Sequence, residues 1–339
     1  YGSASDRYGR KPVLMVGLTM FVAGSAICAL AWNFEVLIAG RLLQGLAAGS
    51  GVVLARAIAR DVYGPEKLAQ VIAYITTAYV LGPTLAPPIG GAISDVFGWN
   101  AVFIFATGIS VLVILLGGIV IKETHFDRKI GRPLSAMTGD YLRLIRNPVF
   151  MGYALVPALT SMSFFALAVY ASFLMRDHYH GSSAEYGVYF IFLTVGFMSG
   201  NFISARLGSR FSTEYMVTIG CITGVITVEI LAACVMFMPN NPLALFVPGA
   251  FIGVAQGLSM PHAQAAAINA EPDLTGTASG VVMFLHFSGA AAASLFISVL
   301  YDKTFFPLIE VMFIIGLLAL ACGLFANACK RRQMGRAVA

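Results

Sequence analysis

Ten apolar segments of about twenty residues or more follow one another along this chain, at roughly 12–33, 36–58, 68–94, 100–121, 148–175, 187–205, 214–238, 242–269, 277–300 and 305–328. A helix rises about 1.5 Å per residue, so each segment is long enough to cross the roughly 30 Å hydrocarbon layer of a bilayer. Lipid offers no water to bond the backbone, and a helix satisfies its N–H and C=O groups internally. The predicted fold class is therefore all-α and integral to the membrane. Composition agrees: 58% of the residues are hydrophobic and 11% charged, where a soluble domain carries roughly 25% charged residues.

Basic residues sort by side. Over alternate connections, 18 of the 21 Lys and Arg fall on one side, Arg176 and Lys303 on the other, and Arg41 lies inside a span. Lys and Arg gather on the cytoplasmic face of membrane proteins, so both chain termini are predicted to be cytoplasmic, as an even number of spans requires. The net charge of +5 is read as a topology signal, with no nucleic acid implied. Cys28, Cys221, Cys234, Cys322 and Cys329 lack metal-ligand spacing and are read as packing residues. No metal or cofactor is expected. The start at Tyr1 has no charged segment leading into a short apolar one, so no cleavable signal peptide is expected.

Most connections are short, such as Asn33-Phe34-Glu35 and Pro239-Asn240-Asn241-Pro242, which makes successive helices antiparallel neighbours. The one long connection, 122–147, holds the chain breaker Gly131-Arg132-Pro133 and a helical recurrence of Leu134, Met137, Tyr141, Leu144 and Ile145 beside Arg143 and Arg146. An amphipathic helix on the cytoplasmic face, or a solvated linker, would account for it. The chain is thus divided into 1–121, the linker 122–147, a second bundle 148–329 and a basic cytoplasmic tail 330–339. An internal echo links the two bundles: Ser5-Asp6-Arg7-Tyr8-Gly9-Arg10-Lys11 against Ser204-Ala205-Arg206-Leu207-Gly208-Ser209-Arg210.

Three ordered motifs follow. Gly2-Ser-Ala-Ser-Asp6-Arg7-Tyr8-Gly9-Arg10-Lys11 resembles the cytoplasmic signature loop of the major facilitator superfamily; Gly9 permits a tight turn. Gly40-Arg41-Leu42-Leu43-Gln44-Gly45 resembles that family's fourth-helix motif, with a charge that costs about 2.5–3.5 kcal/mol even on modest scales at mid-membrane. Gly82-Pro83-Thr84-Leu85-Ala86-Pro87-Pro88-Ile89-Gly90-Gly91 is similar to its antiporter motif on the fifth helix, with Ala86 where Gly is usual. There Pro83 and Pro87 bend the helix, and Gly90 and Gly91 allow close helix approach. Ala55-Arg56-Ala57-Ile58-Ala59-Arg60-Asp61-Val62-Tyr63 and Gly98-Trp99-Asn100-Ala101-Val102-Phe103 resemble the Bcr/CflA-type drug resistance transporters in particular.

The resemblance implies a two-bundle fold in which the ten spans are family helices three to twelve, four before the linker and six after, without the family's first two helices. It implies that Asp6 and Arg10 make charge contacts with Arg56 and Asp61 in a gating latch that also involves Gly2, Arg7 and Gly9, and that Arg41 influences proton coupling. Further proton-coupling candidates are Glu229, deep in its segment and equally readable as a packing acid, and His262 and His286, which belong to a residue type that titrates near neutrality but which read more readily as packing residues. Gln44, Tyr74, Tyr79, Phe165, Met283 and Phe284 are candidates for an apolar substrate cavity.

The function expected is proton-coupled efflux of small amphiphilic drugs or metabolites by alternating access, in the bacterial inner membrane and as a monomer, with lipid, protons and a small-molecule substrate as partners. The alternatives are a proton-coupled uptake symporter of the same superfamily, a nonfunctional fragment, and a membrane enzyme. For the last, the sequence offers no metal cluster, nucleophile elbow or phosphate-binding loop, so no enzyme is predicted.

Overall fold

The computed structural model describes the backbone of residues 1–124, 134–208 and 210–338, and within these all side chains except those of residues 2, 3, 6, 52, 56, 60, 64–70, 72–80, 134–138, 275 and 334–338. Its elements are α1 (Gly2–Tyr8), α2 (Arg10–Ala29), α3 (Phe34–Phe97), α4 (Trp99–Val120), α5 (Leu134–Arg146), α6 (Pro148–Asp177), α7 (Ser183–Leu207), α8 (Thr213–Phe237), α9 (Leu243–Asn269), a 3₁₀ turn (Pro272–Leu274), α10 (Thr275–Val299) and α11 (Phe306–Val338). They form two compact units, Tyr1–Pro133 and Leu134–Ala339.

Nine helices among the described residues are long and apolar enough to cross a membrane, against the ten expected. The difference lies in α3. The expected spans 36–58 and 68–94 belong to one continuous helix of 64 residues, about 96 Å long and so about three times the hydrocarbon thickness. Between them the sequence offers only Gly64-Pro65 as a breaker, amid helix-forming Ala, Glu, Lys, Leu and Gln. Among the described residues, the stretch of α3 with the length and hydropathy of a crossing is Phe34–Tyr63; residues 68–70 and 72–80 of the expected span 68–94 lie outside the described side chains. At the other end of the chain, α11 continues through Lys330, Arg331 and Arg332 where a tail was expected, as Lys and Arg are good helix formers.

Local chemistry sets most helix ends. Asn33 accepts from the Val36 N–H at 2.8 Å to start α3, and Asn147 accepts from Val149 and Phe150 at 3.0 and 3.2 Å to start α6. A capping box of Ser182 and Glu185 starts α7, and Ser212 caps α8. Each cap satisfies N–H groups that the helix itself leaves free, typically for about 1 kcal/mol.

In the second unit α6 packs on α9, α10 and α11, and α9 packs on α7 and α8. The tightest seam is between α7 and α9. A side chain at Gly196 or Gly200 would strike the carbonyls of Ala250 or Val254, and one at Gly253 or Gly257 would strike those of Leu193 or Phe197. This is the small-xxx-small arrangement on both partners, the means by which helices attract each other in lipid. On the outside of this bundle α5 is held by Leu144, which is fully buried, and by Arg143, whose guanidinium lies 2.6 Å from Glu271.

Gly253→Val is expected to lower stability by about 1–3 kcal/mol or more through overpacking, seen as a fall in the detergent melting midpoint of the full chain. Gly276→Ala, at a glycine with open space around it, should leave the midpoint unchanged; equal effects would sink the seam's role.

Candidate functional site

The signature loop builds a charge cluster in the first unit. Gly9 separates α1 from α2 with φ +101°, a conformation L side chains avoid, and a Cβ there would lie 2.5 Å from Glu123 Oε2. Glu123, just past α4, accepts the backbone N–H groups of Arg10 at 2.9 Å and Lys11 at 3.2 Å. These are donors of the first turn of α2, which the helix itself cannot bond, at its positive end. The Arg10 side chain donates from Nε to Asp61 Oδ2 at 3.1 Å and from Nη1 to Ser5 Oγ at 2.5 Å. Thr124 Oγ1 donates to the same Asp61 oxygen at 3.2 Å. With 11% and 21% of their side chains exposed, Arg10 and Asp61 are less screened than a surface pair, whose worth is about 0–1 kcal/mol.

Arg10 thus pairs with Asp61, and Glu123 joins the cluster as a residue not among the sequence candidates. Arg7 is exposed, its guanidinium 5.3 Å from the centroid of the Tyr8 ring. Gly2 and the side chains of Asp6, Arg56, Tyr74 and Tyr79 lie outside those described.

Arg41 sits on the exposed surface of its unit. Its guanidinium donates to Gln44 Oε1 at 2.8 Å and lies 5.5 Å from the Phe103 ring centroid. Gln44 is buried and donates to Ser25 Oγ at 2.7 Å, which in turn donates to the Phe21 carbonyl at 2.8 Å. Gln44 was expected in a cavity; it instead ties Arg41 to α2. The helices come close enough for this because Gly24 and Gly40 face each other: a Cβ at Gly24 would meet Gln44 N at 2.7 Å, and one at Gly40 would meet Cys28 Sγ at 2.7 Å. In the antiporter segment, Gly82 and Pro83 are exposed on α3, Pro87 and Gly91 are half-buried, and a Cβ at Gly90 would meet Val102 at an ordinary 3.8 Å. No close helix approach is made at Gly82 or Gly90 among the described residues, because the first unit packs nothing tightly against them.

The second unit buries a polar node where α6, α9 and α10 meet. Ser161 Oγ is 2.9 Å from His286 Nδ1, and Gln256 Nε2 donates to the same oxygen at 2.9 Å. The Pro157 carbonyl lies 3.4 Å from His286 Nδ1. His286 therefore has partners on another helix, as a buried polar group requires. The cavity beside Gln256, also lined by Thr160, Ser163, Cys221 and Gly316, measures about 20 Å³, room for one water and none for a drug-sized molecule.

The remaining candidates do not join this node. His262 packs against the echo loop, where a Cβ at Gly208 would lie 2.7 Å from its Cε1. Glu229 is deep along α8, but its side chain is exposed on the surface of its unit. Phe284 is 69% and Phe165 36% exposed, and Met283 is half-buried.

The sequence profile described as Major Facilitator Superfamily matches residues 1–294. The chain belongs to the Major Facilitator Superfamily. Multidrug resistance protein D of Escherichia coli (strain K12) is 27% identical over 332 residues, covering 96% of this chain and 81% of that protein. The bicyclomycin resistance protein homolog of Haemophilus influenzae (strain ATCC 51907 / DSM 11121 / KW20 / Rd) is 26% identical over 305 residues, 89% of this chain and 76% of its own. Among solved structures, a bacterial homolog of the human lysosomal transporter Spinster superposes with a TM-score of 0.66 at 15% identity, covering 94% of this chain and 82% of that one, a likeness of fold. The resemblance to the Bcr/CflA-type transporters stands with these relatives. Membership of the Major Facilitator Superfamily makes the chain a membrane-embedded transporter of small molecules and sets aside the enzyme alternative.

Glu123→Ala removes the acceptor for two N–H groups of α2 and is expected to cost about 1–2 kcal/mol, measured as a drop in melting midpoint. Glu123→Gln, which keeps an acceptor oxygen without the charge, should lose less. Equal losses would mean that the carboxylate's charge at the helix end contributes most.

Proposed function

We propose that this chain is a proton-coupled efflux antiporter for small amphiphilic drugs or metabolites, working by alternating access in a bacterial inner membrane, as a monomer with both chain termini cytoplasmic. The observation that carries the reading is Arg41: a guanidinium within a spanning stretch, held by Gln44 and Phe103 yet open on the surface of its own unit. A charge kept inside a membrane at such cost marks a substrate or ion pathway. The relatives' names, multidrug resistance protein D and bicyclomycin resistance protein homolog, support drugs as the substrate class and export as the direction.

In this reading residues 1–121 and 148–329 are the two transport bundles, joined by 122–147. Arg41 takes part in proton coupling, with His286, bonded to Ser161 where α6, α9 and α10 meet, as the second group. The cluster of Arg10, Asp61 and Glu123 is the latch, closed while Arg10 stays paired with Asp61 and Glu123 caps α2. Cytoplasmic placement of that latch agrees with the basic residues gathered on its side of the membrane.

The test is flux in proteoliposomes of the full chain, with ethidium as a lipophilic cation probe and an imposed pH gradient. Antiport predicts that protons move opposite to ethidium and that Arg41→Ala slows gradient-driven transport at least about tenfold, a barrier change of roughly 1.4 kcal/mol. Protons moving together with the probe would identify a symporter, and an undiminished rate in Arg41→Ala would remove that residue from the mechanism.

A further inference from the structure

At the basic end of the second unit, α8 and α11 leave an open groove of about 630 Å³ lined by Ser212, Glu214, Tyr215, Thr218, Leu324, Asn327, Ala328 and Arg331. We propose that this groove holds the phosphodiester headgroup of an anionic phospholipid, with Arg331 as its counter-ion. The inference rests on the membrane-spanning fold and is independent of proton coupling and transport direction.

Charge comes first. Glu214, the acid in the wall, is neutralised by Lys330, whose Nζ lies 2.5 Å from Oε1. Asn327 is committed as well, accepting from Tyr153 at 2.6 Å and donating to Thr218 at 3.2 Å. Arg331 is exposed, and no carboxylate pairs with it among the described residues. One uncompensated guanidinium therefore faces the groove, with the exposed Arg332 next to it. A guanidinium matches the oxygens of a phosphate as a planar fork, and basic pockets between spanning helices bind anionic headgroups.

The apolar part of a lipid also has a path. Leu317, Leu324 and Arg331 recur at seven-residue spacing on α11, as do Tyr215 and Ile222 on α8, so each set lies along one helix face. Leu317, Leu324 and Ile222 are 44%, 50% and 39% exposed. A headgroup seated at Arg331 thus has an exposed aliphatic track running from it toward the membrane interior, which a free phosphate would not use. Tyr215, stacked on Phe211 with ring centroids 5.0 Å apart, stands at the level where amphipathic rings collect in membranes.

Native mass spectrometry of the full chain, titrated with dioleoylphosphatidylglycerol or dioleoylphosphatidylcholine, reads retained lipid directly. The expected result is preferential retention of phosphatidylglycerol, weakened about fivefold in Arg331→Gln and largely restored in Arg331→Lys. Ala328→Phe, at an exposed position whose new ring fills the groove and leaves the charges in place, should also lose retention. Equal phosphatidylglycerol retention by wild type, Arg331→Gln and Ala328→Phe would overturn the site. So would full displacement of the lipid by glycerol 3-phosphate at equal concentration, which would mark a site for a free anion.

Discussion

Helices in lipid gain nothing from hiding apolar surface from one another, so what holds this molecule together is close contact at small residues. The α7 and α9 backbones meet through Gly196, Gly200, Gly253 and Gly257, and α8 meets α9 where a Cβ at Gly220 would lie 2.8 Å from Ser259 N. Polar contacts between helices depend on this spacing. Gln44 reaches Ser25 across α2 and α3 only because Gly24 and Gly40 bring those backbones together, and the bond of Gln256 to Ser161 spans α9 and α6 in the same close-packed bundle. A methylene in the wrong place would therefore break hydrogen bonds as well as packing.

The charged residues divide by depth. Arg10 and Glu123 lie at the ends of α2 and α4, and Asp61 near the end of the crossing stretch Phe34–Tyr63 of α3, where water lowers the cost of a charge. Arg41 has no such help and is stabilised by a glutamine dipole and a ring face, interactions that gain strength where water is scarce. The two arginines thus answer different demands: Arg10 ties elements together, while Arg41 keeps a charge available at the surface of its unit.

Span positions were legible because hydropathy over about twenty residues needs no tertiary information, and Asn33, Ser182 and Ser212 sit where caps belong. Glu123 was not legible: it caps Arg10 across 113 residues, a distance no periodicity reports. The pairing of His286, itself a candidate, with Ser161, 125 residues away, escaped for the same reason. The seam was different, since Gly196-xxx-Gly200 and Gly253-xxx-Gly257 are readable as close-packing signals in apolar segments and were passed over. Glu229 shows the limit of reading depth without direction. Its place along α8 is evident from the chain, but α8 is apolar nearly all round, so no polar face reveals which way the carboxylate points.

The repeated loop carries the same logic further, for similar letters have become different structures. Gly9, with φ +101°, breaks the helix, so α2 begins afresh and exposes N–H groups for Glu123. Gly208, with φ −61°, keeps helical geometry and closes α7 by donating to the Ser204 carbonyl at 2.8 Å. No new helix starts at Gly208, and the group lying against it is the imidazole of His262 where Gly9 meets a carboxylate. The two loops consequently differ in what holds them: carboxylates partner Arg10 and the start of α2, whereas the imidazole ring of His262 packs against Gly208.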